Sequence, residues 1–249
     1  VEAPTPSYSE DTYKQPQYDE LPTLEPEPET EFVDMDEEIS LIPDSQGGEE
    51  SYIDEATGKL LVKSFDTVFD VRNQEEVENA IHSLPEDWKN IDVLVNNAGN
   101  AHGLESISEG NIADWDAMMD GNVKGLLYVS QPIIKIMKAR NTGHIINISS
   151  VAARQTYANG VVYCASKRAV DVISEGMRIE LTEFGIKVTN IQPGAVETDF
   201  SKVRFKGDEQ RAATVYAGYE ALKAEDIADA ISYCVNAPER VSIAELCIY

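Results

Sequence analysis

The chain has 249 residues, a mass of 27.5 kDa and a formal charge of −25. That length allows one large domain or two small ones, and so anionic a chain should repel nucleic acid and acidic membranes. No run reaches the ~18 apolar residues of a membrane span, and no signal-peptide pattern opens the sequence.

The charge is unevenly placed. Residues 1–57 hold 18 Asp or Glu against the single Lys14, a net −17 that leaves −8 for residues 58–249, and seven of the 11 prolines fall in the same segment. An acidic, proline-rich stretch buries too little apolar surface to offset its chain entropy, so residues 1–57 are expected to be disordered. Tyr8, Tyr13 and Tyr18 recur there in acidic surroundings, as a docking tail or simply a solvated one. The boundary with the folded part is expected near Gly58.

From Leu60 the pattern changes. Leu60 to Val62 and Val68–Phe69 suggest one or two strands ending at Asp70–Val71. Asn73 with Glu76 is a capping signature, followed by Val77, Ile81 and Leu84 on one helical face. Ile91 to Val95 reads as a short strand. A long amphipathic helix should run from Ile112 to Lys138, divided or kinked at Pro132. Ile145, Ile146 and Ile148 suit a buried parallel strand ending in small polar residues. A helix carrying Tyr163 to about Phe184, a strand at Val188 to Gln192, helices near 208–222 and 225–235, and a strand at Val241 to Ile248 complete the pattern. Alternating strands and helices argue for a parallel α/β sheet covered on both faces. The chain stops at Tyr249 and reads as clipped there.

Tyr163 and Lys167 are four apart and share a helix face. A phenol titrates near pH ~10, too high for acid–base work at neutrality, but an ammonium one turn away favours the phenolate. The phenol could then exchange a proton with an alcohol or carbonyl oxygen. A serine hydroxyl from the preceding strand end, Ser150, could hold that oxygen.

Tyr163-Cys-Ala-Ser-Lys167, Ser150, Asn122 within Gly121–Gly125, Asn96-Asn-Ala-Gly99 and Pro193-Gly194 together resemble the short-chain dehydrogenase/reductase family, from about Phe65 to Ile248. The resemblance implies a Rossmann-like doubly wound sheet and an oxidoreductase in which Tyr163 is the acid/base, Ser150 the oxygen holder and Lys167 the pKa modifier. It also implies that Asn122 anchors a water linking Lys167 to solvent. Cofactor contacts would come from Asp70, Val71, Asn97, Ala98, Gly99, Ile148, Tyr163, Lys167, Pro193, Gly194, Val196 and Thr198. The segment Phe200 to Asp208, with Leu84 to Trp88, is similar to the NADP-dependent 3-hydroxy acid dehydrogenases. These act on serine, L-allo-threonine or malonic semialdehyde, and form tetramers in the wider family. NADP is therefore the expected cofactor, with NAD not excluded, and the expected partners are a small-molecule substrate and three further copies of the chain. Arg204 and Lys206 could pair with a substrate carboxylate or be a solvated cationic loop.

The sequence also departs from the family. Only Gly47, Gly48 and Gly58 precede Gly99, so the Gly-x-x-x-Gly-x-Gly turn that binds pyrophosphate at a helix amino terminus is missing. The fold is expected to lack its first strand–helix–strand unit, leaving an apolar sheet edge. A second reading follows: a non-catalytic relic acting through its acidic tail.

The remaining candidates have bland readings. The three cysteines, Cys164, Cys234 and Cys247, lack paired metal-ligand spacing and are expected to be reduced and buried, which fits the cytoplasm. His82, His102 and His144 also lack metal spacing and read as surface or turn residues, so no metal is expected. Trp88 and Trp115 should pack rather than stack on a cofactor.

Overall fold

The computed structural model describes residues 65–249, together with the backbone of two short strands, β1 (Tyr52–Ile53) and β2 (Leu60–Leu61). These two pair antiparallel. β1 thus lies inside the segment expected to be disordered, and the rest of that expectation falls outside the described residues. Val68–Phe69 joins no strand: it is extended chain leading into α1 (Gln74–His82). The cap of α1 forms as its residues dictate, with Asn73 accepting from the amides of Glu75 and Glu76. Leu84 lies beyond the helix end.

Four parallel strands form the main sheet in the order β3 (Val93–Asn96), β4 (Gly143–Ile148), β5 (Ile186–Pro193), β6 (Glu245–Ile248). Side chains alternate across a strand, so neighbouring residues of β4 serve two different cores. Ile145 packs with Ile133, Met137, Val170 and Val188. Ile146 packs with Ile191 and Cys234 on the opposite face. Helices α3 (Leu126–Arg140) and α4 (Val161–Leu181) cover the first face, and α7 (Ala224–Val235) covers the second. Both isoleucines are fully buried, each contributing roughly 1.5–3 kcal/mol. β3 and β6 are the two outer strands, and Val95 of β3 is 39 % exposed.

The long helix breaks at a different place from the one its proline suggests. Pro132 sits inside the continuous α3. The irregularity lies upstream, where α2 (Ile112–Met119) passes into a π-helical turn, Asp120–Gly125. Such turns cluster at functional sites, and this one carries Asn122. A Cβ on Gly125 would stand 2.8 Å from Val71 Cγ2 and 3.2 Å from its carbonyl oxygen, so only glycine lets the 70–72 turn close on the helix. The helix expected over 208–222 is also shorter: only α6 (Glu209–Thr214) forms there, preceded by the brief α5 (Phe200–Arg204).

Candidate active site

The carboxyl ends of β3, β4 and β5 meet the amino-terminal half of α4, where ligands bind in open α/β sheets. β4 delivers Ser150 just past its end, where the hydroxyl accepts from the Ala152 amide at 3.1 Å and donates to the Pro193 carbonyl at 3.4 Å. α4 brings Tyr163 and Lys167, both buried. The Lys167 ammonium donates to the Ile148 carbonyl at 3.1 Å. Gly99 closes this group: a Cβ there would lie 2.9 Å from Asn122 Oδ1 and 3.2 Å from Lys167 Nζ.

Asn122 works as a clamp. Its Oδ1 accepts from the Asn100 amide at 2.7 Å, and its Nδ2 donates to the Asn100 carbonyl at 2.9 Å and to Ser166 Oγ at 3.0 Å. The side chain thereby ties the 97–100 loop to α4. A second clamp lies below the site. Buried Asp171 accepts from Ser149 Oγ and Asn190 Nδ2, each at 2.7 Å, pinning the ends of β4 and β5 to α4.

The electrostatics differ from those read off the spacing. Burial pushes the Tyr163 phenol up to about 12, opposed by a Ser150 hydrogen bond and by the Arg204 guanidinium. Burial likewise takes Lys167 down to about 8. The Lys167 ammonium is committed to the Ile148 carbonyl, and for both groups burial is the dominant influence.

A pocket opens in front of Tyr163, lined by His102, Glu105, Trp115, Met118 and Arg204. Arg204 donates from Nε to the Gly103 carbonyl at 3.1 Å and from Nη1 to the Tyr157 hydroxyl at 3.0 Å. Lys206 does not line this pocket; it pairs with Asp114 at 3.1 Å. Asp70 is bound by Arg72, which holds its carboxyl below the usual range, and Val71 rests against Gly125. Asn97, Ala98 and Gly99 lie exposed past β3, beside Asn122 and Lys167. Pro193 and Gly194 bond to Ser150 and Ile248 respectively. Val196 bridges to Leu222, and Thr198 accepts from the Phe200 amide at 3.3 Å.

Sequence reasoning missed Tyr157, Glu105 and the pocket position of His102. All three sit in loops without periodicity, so only their tertiary placement marks them. His144, read as a surface or turn residue, is instead buried in β4 and bonded to Thr189 Oγ1 at 2.8 Å. Cys164 and Cys234 are buried, but Cys247, expected to be buried, is exposed at the outer strand β6. Trp115 packs against the Met118 and Tyr163 cluster.

A parallel sheet whose strand ends gather a serine, a tyrosine and a buried lysine defines an oxidoreductase of the Rossmann type. The sequence profile described as short chain dehydrogenase matches residues 31–209, beginning within the acidic segment, and the chain belongs to that family. It is 45% identical over 175 residues to the NADP-dependent 3-hydroxy acid dehydrogenase YdfG of Salmonella typhi, covering 70% of this chain and 71% of the relative. It is 36% identical over 195 residues to the NADP-dependent 3-hydroxy acid dehydrogenase of Schizosaccharomyces pombe, covering 78% of this chain and 75% of the relative. Among solved structures, the closed form of serine dehydrogenase complexed with NADP+ superposes with a TM-score of 0.71 at 43% identity, over 72% of this chain and 73% of that one.

Proposed function

We propose that this protein transfers hydride between NADP and the 3-hydroxyl of a small hydroxy or amino acid such as serine, L-allo-threonine or 3-hydroxypropionate. The observation that carries the reading is the placement of Tyr163 at the wall of a pocket that also presents the Arg204 cation, with the Ser150 hydroxyl held at the adjoining strand end.

The residues present fit the nicotinamide end of the cofactor. Lys167 spends one of its three N–H groups on Ile148, leaving two for ribose hydroxyls. The missing Cβ of Gly99 gives close access to the same point. Asn97, Ala98, Pro193, Gly194, Val196 and Thr198 border the strand ends where the cofactor would lie. The described residues before Gly99 contain no glycine for a pyrophosphate turn.

NADP+, when bound, supplies the hydride acceptor for the substrate C3–H. Ser150 holds the reacting oxygen and Tyr163 exchanges the proton with it. A phenol raised to about 12 is protonated at neutral pH, so Tyr163 is poised to donate in carbonyl reduction, and alcohol oxidation accelerates as pH rises. Asn122 fixes the loop that borders Lys167. Arg204 receives the substrate carboxylate, and Lys206 contributes through Asp114 to the loop that carries Arg204.

Exposed Val172 and Ile179 on α4, with Leu127 on α3, support assembly as a homotetramer. Among the described residues no helix is long and apolar enough to cross a membrane; the free thiols of Cys164, Cys234 and Cys247 support a reducing, cytoplasmic site of action. The test is NADPH-dependent reduction of malonic semialdehyde by wild type and Tyr163→Phe. Loss of turnover by about 10³-fold in the variant, with an unchanged circular dichroism spectrum, is expected; equal rates would overturn the proton-transfer role.

A further inference from the structure

The pocket in front of Tyr163 holds two opposite charges that are not spent on each other. Glu105 and Arg204 both line it, yet Glu105 makes no ion pair among the described residues. Its Oε2 accepts from the Leu104 amide at 2.8 Å, and Oε1 has no protein donor there. Arg204 commits Nε and Nη1 to Gly103 and Tyr157, leaving Nη2 without a protein acceptor among the same residues. The Gly103 amide returns a bond to the Arg204 carbonyl at 2.9 Å. This exchange ties the 102–105 loop to α5, so Glu105 and Arg204 share one rim of the pocket. Burial lowers the pKa of His102 on the same lining, disfavouring its charged form.

A ligand that satisfies both charges must itself carry both. We propose that Glu105 and Arg204 form a zwitterion-selective pair, Arg204 taking the carboxylate and Glu105 the ammonium of a 3-hydroxy-2-amino acid. The 3-hydroxyl is then presented to Tyr163. This rests on the dehydrogenase reading above and sharpens it, since a plain 3-hydroxy acid would leave the Glu105 carboxylate unpaired beside its own negative charge. Sites built to bond a polar group discriminate against the analogue lacking it because their own partner is left unsatisfied. Glu105 is exposed, so solvent screening keeps the expected discrimination to about tenfold, the range of a single charge-assisted hydrogen bond.

The experiment reads ligand binding apart from turnover. Trp115 lines the pocket, so its fluorescence is titrated with L-serine and with 3-hydroxypropionate in wild type and Glu105→Gln. Wild type should bind serine about tenfold more tightly, and the variant should bring the ratio of the two affinities close to one. Each ratio is taken within one protein, so an overall loss of affinity cancels. A wild-type preference for 3-hydroxypropionate, a ratio unchanged in Glu105→Gln, or binding of neither ligand would overturn the pairing. Turnover with NADP is measured in parallel. Zero turnover alongside the expected shift in binding ratio would refute the dehydrogenase reading and leave the zwitterion pair standing.

Discussion

Replacing Lys167 with methionine should make this protein more stable at neutral pH. Burial takes the Lys167 pKa from 10.5 to about 8, so keeping the ammonium charged at pH 7 costs the fold about 3 kcal/mol. Methionine removes that charge from a site only 6 % exposed, but orphans the Ile148 carbonyl, which now accepts from Nζ, at about 1 kcal/mol. The net expectation is a gain of about 2 kcal/mol at pH 7. The pH dependence gives the sharper test. A folded pKa below the unfolded one means the unfolded chain binds more protons between pH 8 and 10.5. Wild-type stability from this group is complete above pH 10.5 and lost as pH falls through 8, whereas the variant lacks the term. The advantage of the variant should therefore shrink as pH rises from 8 and reverse, leaving wild type about 1 kcal/mol the more stable above pH 10.5. Urea unfolding followed by tryptophan fluorescence, in steps from pH 7 to 10.5, measures it. A variant less stable than wild type at pH 7, or a gap that does not change with pH, would refute the reasoning. Catalysis in Lys167→Met should be lost, which would mark the lysine as a stability cost kept for its function.

Two further outcomes concern the framework. Burial, reinforced by the Lys187 charge, takes His144 down to about 4, so its contribution is present above pH 6.5 and lost as pH falls through 4; His144→Gln should flatten acid unfolding across that window, and an identical acid limb would count against a buried neutral imidazole. Gly125→Ala should lower the melting temperature by roughly 4–8 °C, from about 2 kcal/mol of overpacking against the Val71 side chain and carbonyl; an unchanged or higher value would show that the intrinsic helix preference for alanine prevails.

The strands and helices around the site were legible because their signals are local. The Asn73 cap needs only a side chain within reach of the next turn's amides, and the β4 isoleucines announce a strand buried on both faces. Four-residue spacing likewise places Tyr163 and Lys167 on one helix face wherever the helix packs. Pro132 misled for the same local reason: the irregular turn lies instead at Asp120–Gly125, where Gly125 packs against Val71, 54 residues away in the chain. The titration behaviour of the pair was equally out of reach. Sequence spacing supplies the attraction between ammonium and phenolate, but the desolvation that raises one group to about 12 and lowers the other to about 8 comes from everything packed around them.

By itself the sequence determined the α/β alternation, the candidate site side chains and the family to which the chain belongs, since these depend on residue type and short spacing. The tertiary structure decided which loops face Tyr163. It drew Glu105 and Arg204 into one pocket, set the Tyr157 hydroxyl against Arg204, and sent Lys206 to Asp114 instead. Residues about 100 positions apart, such as Gly103 and Arg204, meet only because the parallel sheet brings its strand ends to one side. Which side chains share that pocket is therefore a property of the convergence, which no periodicity in the chain encodes.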